Sequence, residues 1–314
     1  MSQTLAEGLS NISKFSPNEL DAYLTTVCHV AELDETLVKI NCHHVALDGS
    51  DLPRLADLTD AVASWIIDYA IPRRAIDLIN EQPVSTRARK FVELQNQAKH
   101  TFKTKGMSGE QGEMLMFVLA EAILGLPQLL CKMDLKTDPE MHFHGLDGVH
   151  CGATTEGHLA VYWCESKVHK NVSKATSEAL DGLKPFLLSS GTGDSDKKRE
   201  LALLDRYMDL GDAELKGMVL NSLNPAKPEF NNVDWRGICF VGFDSDLYPT
   251  DPKSKSKSVL LEQVTEQLSS LKKSLKVKVK NRGLQVFDIH FIYVPFGFCE
   301  DFRKEMHRSL SVGV

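Results

Sequence analysis

The stretch that most constrains the fold of this 314-residue chain is an apolar run that ends in polar residues. Residues 159–168 read L-A-V-Y-W-C-E-S-K-V, and this density of aromatic and β-branched side chains is typical of a buried strand. A shorter apolar run around Asp147 precedes it, and a glycine-bearing turn separates the two. We therefore expect two neighbouring strands, 143–149 and 159–168, which bring three charged groups to one edge of a hydrophobic sheet.

Strand-like and helix-like patterns alternate through the rest of the chain. Further strands are predicted at residues 37–45, 128–136, 233–243 and 284–295, and helices at about 17–30, 57–68, 73–80, 88–104, 170–188, 198–210, 213–223, 259–275 and 300–309. A wide apolar face between Glu113 and the stop at Gly125 predicts a largely buried helix. Interleaved strands and helices predict an α/β fold, a mixed sheet flanked by helices. We assign residues 105–314 to this core and residues 1–104 to an N-terminal αβ elaboration.

Composition and charge narrow the class of protein. Hydrophobic residues make up 42% of the chain and the net charge is −7, which indicates a globular protein that is not basic overall. The N-terminus lacks a signal-peptide pattern and no apolar run approaches bilayer length, so we expect a cytoplasmic protein without a membrane segment. Seven cysteines, an odd number without a C-x-x-C pair, favour reduced thiols over a disulfide framework.

The polar end of the 159–168 run has the composition of a metal-dependent phosphodiesterase site. Side chains alternate along a strand, so Glu165 and Lys167 share one face. Asp147 stands on the preceding strand, close enough along the chain to lie beside Glu165. Two converging carboxylates suit a hard divalent cation, Mg²⁺ or else Mn²⁺, with the Ser166 carbonyl as a further ligand. Lys167 would orient or deprotonate the attacking water, or stabilise negative charge on phosphorus.

The acid-x-Lys spacing alone is not specific. It recurs at Asp134-Lys136, Asp196-Lys198, Glu214-Lys216 and Asp251-Lys253. Only Glu165-Lys167 combines a preceding apolar strand with an acid on the strand before it. A structural or solvated ion pair at a sheet edge remains the alternative interpretation.

The order of these motifs resembles a known group of enzymes. Glu113 on a helix, Asp147 in G-L-D-G, and Glu165-Ser166-Lys167 after an apolar strand resemble the PD-(D/E)XK nuclease superfamily, although Leu146 replaces the proline. The combination G-E-M-L-M-F-V-L-A-E, F-H-G-L-D-G-V-H and V-Y-W-C-E-S-K resembles most closely the HamA family, the nuclease subunits of the Hachiman anti-phage defence system.

The resemblance implies a DNase effector of broad sequence range, regulated by HamB, a superfamily 2 helicase. It also implies that Glu113 enters the site as a metal or water ligand, with Glu110 as the rival candidate. A different class stays open, namely a non-catalytic adaptor that keeps the nuclease fold and docks on the helicase.

Two other groups of residues invite a function. A zinc site is suggested by a group of histidines and cysteines, namely His142, His144, His150 and Cys151, with Cys42-His43-His44. Their spacing matches no zinc pattern. His144 or His150 could instead flank the catalytic pocket. The strip from Lys253 to Arg282 holds nine basic residues against two acids. Within it Lys276, Lys278 and Lys280 alternate with valines, so a strand there would have one basic face. The strip predicts a DNA surface, a partner surface or a solvated face. Aromatic residues are only 7% of the chain, which favours contacts with the DNA backbone over base stacking.

Overall fold

The computed structural model describes residues 3–15, 18–103, 109–133, 145–189 and 195–311. Within these ranges the strands are β1 (Leu24–Glu32), β2 (Lys39–Val45), β3 (Gly148–Ala153), β4 (Leu159–Val168), β5 (Asp234–Asp244) and β6 (Ile289–Phe296). The α-helices are α1 (Leu5–Asn11), α2 (Leu55–Ser64), α3 (Ile66–Ala70), α4 (Arg73–Asn80), α5 (Val84–Lys103), α6 (Glu110–Leu124), α7 (Val172–Leu188), α8 (Asp196–Tyr207), α9 (Ala213–Leu223), α10 (Lys257–Asn281) and α11 (Cys299–Leu310). A 3₁₀ turn, Pro228–Asn232, precedes β5.

The strands form one mixed sheet in the order β1-β2-β6-β5-β4-β3. The inner strands β2, β6, β5 and β4 are parallel, and β1 and β3 close the two edges in antiparallel pairs. Parallel strands are covered on both faces, which explains why β4, β5 and β6 are nearly continuous apolar runs. The predicted α/β fold, a mixed sheet flanked by helices, is confirmed.

Helices α6 and α7 lie on opposite faces of β4. An ideal Cβ at Gly112 of α6 would stand 2.8 Å from the side chain of Ser166, and one at Gly182 of α7 would stand 2.6 Å from that of Glu165. Because successive residues of a strand point to opposite faces, the two helices enclose the strand end. Its polar residues are thereby held between two layers of helix.

The N-terminal part of the chain contributes β1 and β2 to the same sheet. Its buried residues, including Ile40, Val62 and Ile66, belong to the same hydrophobic cluster as Trp163 and Phe240. The division at residue 104 therefore stays a prediction about sequence organisation, while the sheet itself draws strands from both sides of it.

Three element predictions are wrong. Residues 20–30 form turns followed by β1 and not a helix, because L-T-T-V-C-H-V pairs with β2 and buries Leu24. Of the strand predicted at 128–136, Gln128 makes only an isolated bridge with His150, and the buried residues after it follow no strand alternation. Residues 134–136 lie outside the described residues. Residues 276–280, predicted as a strand with one basic face, belong to the last turns of α10.

In the part of the chain that the structure describes, no helix is both long and apolar enough to span a bilayer. All seven cysteines are free thiols, and six of them are buried.

Candidate functional site

Strand β4 delivers Glu165 and Lys167 to the same point, as the alternation along the strand predicts. The Lys167 Nζ donates to Glu165 Oε1 at 2.5 Å. Glu165 is 8% exposed and Lys167 is half-buried, so the pair lies at the margin of the core. Trp163, two residues earlier on the same face, packs against Phe186 of α7 and anchors the strand.

Asp147 reaches this point from the neighbouring edge of the sheet. The strand predicted at 143–149 instead begins at Gly148 and continues to Ala153, and residues 143 and 144 lie outside the described residues. Asp147 thus precedes β3, with its N–H donating to the Cys164 carbonyl at 3.0 Å. Its Oδ2 accepts the Ser166 N–H at 2.8 Å. Both hydrogen bonds hold the carboxylate alongside the end of β4.

Glu113 and Glu110 both stand in the first turn of α6, where the helix dipole favours acids. The Tyr69 hydroxyl of α3 donates to Glu113 Oε2 at 3.5 Å. The charge of Glu113 raises the pKa of both Asp147 and Glu165. Glu110 is buried, and its charge, like those of Glu113 and Asp147, raises the pKa of Tyr69. Glu113 is thus electrostatically coupled to both carboxyls at the end of β4, and the choice between Glu113 and Glu110 stays a prediction.

Carboxyl groups crowd together at the site, where burial and their own charges raise the pKa values of Asp147 and Glu165. Burial, followed by the charges of Glu113 and Glu165, raises the pKa of Asp147 to about 8. Burial also raises the pKa of Glu165, although Lys167 opposes this. Burial by itself would lower the pKa of Lys167, but Glu165 and Asp147 outweigh it, so the net shift is upward. Crowded, partly desolvated carboxyls with a raised pKa are typical of sites that take a cation.

Ser166 faces away from this acidic point. Its Oγ is buried, makes no hydrogen bond among the described residues, and faces Gly112 of α6. A Cβ at Gly112 would meet both the Ser166 hydroxyl and Val168 at 2.8 Å, so the glycine permits α6 to approach the strand. The hydroxyl of Ser166 is therefore turned away from the acids, and the prediction that its backbone carbonyl binds a metal stays a prediction.

A buried ion pair that sequence reasoning missed supports the segment before Asp147. Lys132 Nζ lies 3.1 Å from Glu200 Oε1 of α8, and each side chain is at most 4% exposed. The same ammonium donates to the carbonyl of Leu146, and a Cβ at Gly145 would overlap Glu200. The pair therefore fixes the backbone that carries Asp147. The only sequence signal is a lysine inside the apolar run L-L-C-K-M.

Two carboxylates at this point could hold Mg²⁺, which stays a prediction. Mg²⁺ retains several waters and needs only one or two carboxylates, which Asp147 and Glu165 provide. No three His, Cys, Asp or Glu side chains in the described ranges are placed to enclose a metal by themselves. His142 and His144 of the zinc alternative lie outside those ranges. His150 is fully buried, with its Nδ1 at 2.7 Å from the Leu126 carbonyl, and it faces the core rather than the acids.

The basic strip is largely held by groups of the same chain. Lys276 and Lys280 both pair with Glu35, and Arg282 pairs with Asp181 of α7. Lys278 donates to Ser177, Lys253 pairs with Asp51, and Lys255 donates to Gln263. These contacts tie α10 to α7 and to the β1–β2 turn. They weaken the interpretation of the strip as an open phosphate-binding face.

The sheet, its flanking helices and the acids at the end of β4 define a nuclease-like α/β protein. The family model HamA matches residues 21–310. The chain therefore belongs to the HamA family and is a Hachiman defence-associated protein. A comparison with curated proteins gave no match.

Proposed function

We propose that this protein is a metal-dependent deoxyribonuclease that hydrolyses phosphodiester bonds. One observation carries the proposal: Asp147, Glu165 and Lys167 converge at the end of β4, held by the hydrogen bonds described above. Membership of the HamA family supports a role in defence, which suits an enzyme that degrades DNA. The low aromatic content favours recognition of the DNA backbone and little sequence preference.

The chain's own residues divide the work at the site. Asp147 and Glu165 would hold Mg²⁺, or Mn²⁺ in its place, with the Ser166 carbonyl as a further ligand. When bound, the metal polarises the phosphate and lowers the pKa of a coordinated water. Lys167, held as a cation by Glu165, orients the water and stabilises the extra negative charge on phosphorus. Glu113 is auxiliary and approaches from α6.

A helicase partner belongs to the same proposal. The family resemblance implies a HamB-like superfamily 2 helicase that restrains the nuclease until defence is triggered. Regulation of this kind means that the isolated protein can be slow while its site is intact. The assay must therefore include the protein both alone and with its helicase.

The test is cleavage of supercoiled plasmid with Mg²⁺, with chelator, and by the Glu165→Ala and Lys167→Ala variants. We expect cleavage by the wild type with Mg²⁺ only, and a loss of at least about 10²-fold in each variant, because each removes a transition-state contact. Lys253→Ala, at a remote acid-x-Lys pair, is the matched control and should cleave normally.

Two results would contradict the proposal in different ways. Equal absence of cleavage by the wild type and both variants, with the helicase present, would exclude the enzyme and favour the adaptor. Cleavage that survives in both variants would place the catalytic site elsewhere in the chain.

A further inference from the structure

We propose that helix α5 is the surface that binds the phosphate backbone of double-stranded DNA. This inference rests on the proposed function, because it names how the substrate is held beside the same site. It assigns a role to the helix that the sequence predicts at residues 88–104 and that the structure places at Val84–Lys103.

Helix α5 is basic on a protein whose net charge is −7. It spans 20 residues with five lysines and arginines, namely Arg87, Arg89, Lys90, Lys99 and Lys103, and a single acid, Glu93. Arg89 and Lys90 share that acid, at 3.6 Å and 2.8 Å. One carboxylate cannot neutralise this charge, and exposed pairs of this kind are worth little. On α10, Lys276 and Lys280 likewise share one acid, Glu35, and Lys278 donates to Ser177.

The outward face of α5 is uncovered. Of the α5 side chains that the structure describes, only Ala98 is buried. At about 100° per residue, Arg89 lies on the side of the helix opposite Ala98, and Lys90 and Lys99 lie about 80° and 100° around the helix from Ala98. The Arg89 side chain is 72% exposed. Val84 and Val92 are exposed on the same helix, but the basic residues outnumber them, so charge decides the kind of partner.

The helix also lies beside the candidate site. It packs against α3, which carries the Tyr69 hydroxyl that donates to Glu113. It ends at Lys103, and α6, with Glu113 in its first turn, begins at Glu110. A backbone held along α5 is therefore led toward the acids at the end of β4.

The shape of the helix selects duplex over single-stranded DNA. Twenty residues of α-helix are about 30 Å long, which matches roughly nine base pairs of a straight duplex. Single-strand binding relies on aromatic platforms, and of the α5 side chains that the structure describes, the only phenylalanine, Phe91, is partly buried. A rigid basic rod without stacking side chains fits the regular phosphate spacing of duplex DNA.

The test measures binding without cleavage. Anisotropy of a labelled duplex of about 30 base pairs, longer than the helix can span, is followed in chelator over a range of salt concentrations. A single strand of the same sequence is the second probe. The Arg89→Gln/Lys90→Gln/Lys99→Gln triple variant is compared with a Lys272→Gln/Lys273→Gln/Lys280→Gln triple on α10. Circular dichroism confirms that both variants stay folded.

We expect the α5 triple to bind the duplex at least about tenfold more weakly at 0.1 M salt, and its slope of log K against log salt to fall by about 2 to 3. The α10 triple should match the wild type. The inference is overturned if the wild type does not bind duplex, if it prefers the single strand, or if the α5 triple binds no worse than the α10 triple. A protein that binds through α5 but does not cut with Mg²⁺ even when its helicase is present retains this inference and refutes the nuclease.

Discussion

Gly182→Ala tests whether the position of Glu165 matters, because it acts on that side chain almost alone. An ideal Cβ at Gly182 would stand 2.6 Å from both Cδ and Oε1 of Glu165. Ordinary contact begins at 3.4 Å, so the carboxylate has to retreat by about 0.8 Å, the difference between the two distances. A misplacement of about 1 Å in an active site costs about 10²-fold. We expect kcat to fall roughly 10- to 100-fold with KM nearly unchanged.

Stability separates this effect from unfolding. Alanine is preferred to glycine in a helix interior by about 1 kcal/mol, which offsets part of the local strain. Gly217→Ala in α9 is the matched control, since a Cβ there meets nothing within 4 Å. Plasmid cleavage and urea unfolding are measured on both variants. If Gly182→Ala stays folded and cleaves at the wild-type rate, catalysis does not depend on where the structure places Glu165.

Three further changes probe the same region. Lys132→Met should lower the free energy of unfolding by about 3–5 kcal/mol, because it leaves the Glu200 charge buried without its partner. The Lys132→Met/Glu200→Leu double variant should regain most of that stability but not cleavage. If the double variant regains both stability and cleavage, the ion pair does not position Asp147. Mg²⁺ at a hundred times its Kd should raise the free energy of unfolding of the wild type by about 2.7 kcal/mol. It should not change the free energy of unfolding of the Asp147→Asn variant, and an equal rise in that variant would exclude Asp147 as a ligand. Burial lowers the pKa of His150 from 6.5 to about 4, so the unfolded state binds more protons and stability should fall by roughly 3 kcal/mol between pH 6.5 and 4. The free energy of unfolding of His150→Gln, measured with urea, should lack this fall between pH 6.5 and 4. If the variant shows the same pH profile as the wild type, the fall comes from another group.

The parts of the site that a local pattern determines were predictable. The bounds of β4 match the apolar run, and alternation along the strand places Glu165 and Lys167 on one face. Asp147 followed from the neighbouring strand, although it lies just before β3 rather than inside it. These features depend on periodicity and on sequence neighbours, which the chain displays directly.

The residues that position the site are far apart in the chain, and no pattern in the sequence predicts their contacts. Lys132 and Glu200 meet only because α8 folds back over the segment before Asp147. Gly182 matters only because α7 crosses the strand end at that residue. The error at residues 20–30 has the same origin. Pro17 and Glu19 suggest a helix start, but pairing with β2 outweighs this local preference.

The end of α10 shows how a wrong element changes a functional argument. The run K-V-K-V-K fits a strand, which would present Lys276, Lys278 and Lys280 on one face. Helical spacing nevertheless continues from Leu275 to Val279, which is fully buried, while Val277 is 58% exposed. Lysines in the last turn also suit the negative end of the helix dipole. In the helix, Lys276 and Lys280 form salt bridges with Glu35, and Lys278 donates a hydrogen bond to Ser177. These three lysines are therefore less available to bind phosphates than a basic strand face would be. Exposed positive charge is also present on α5, and under the proposal for that helix DNA contact is expected in the N-terminal part of the chain.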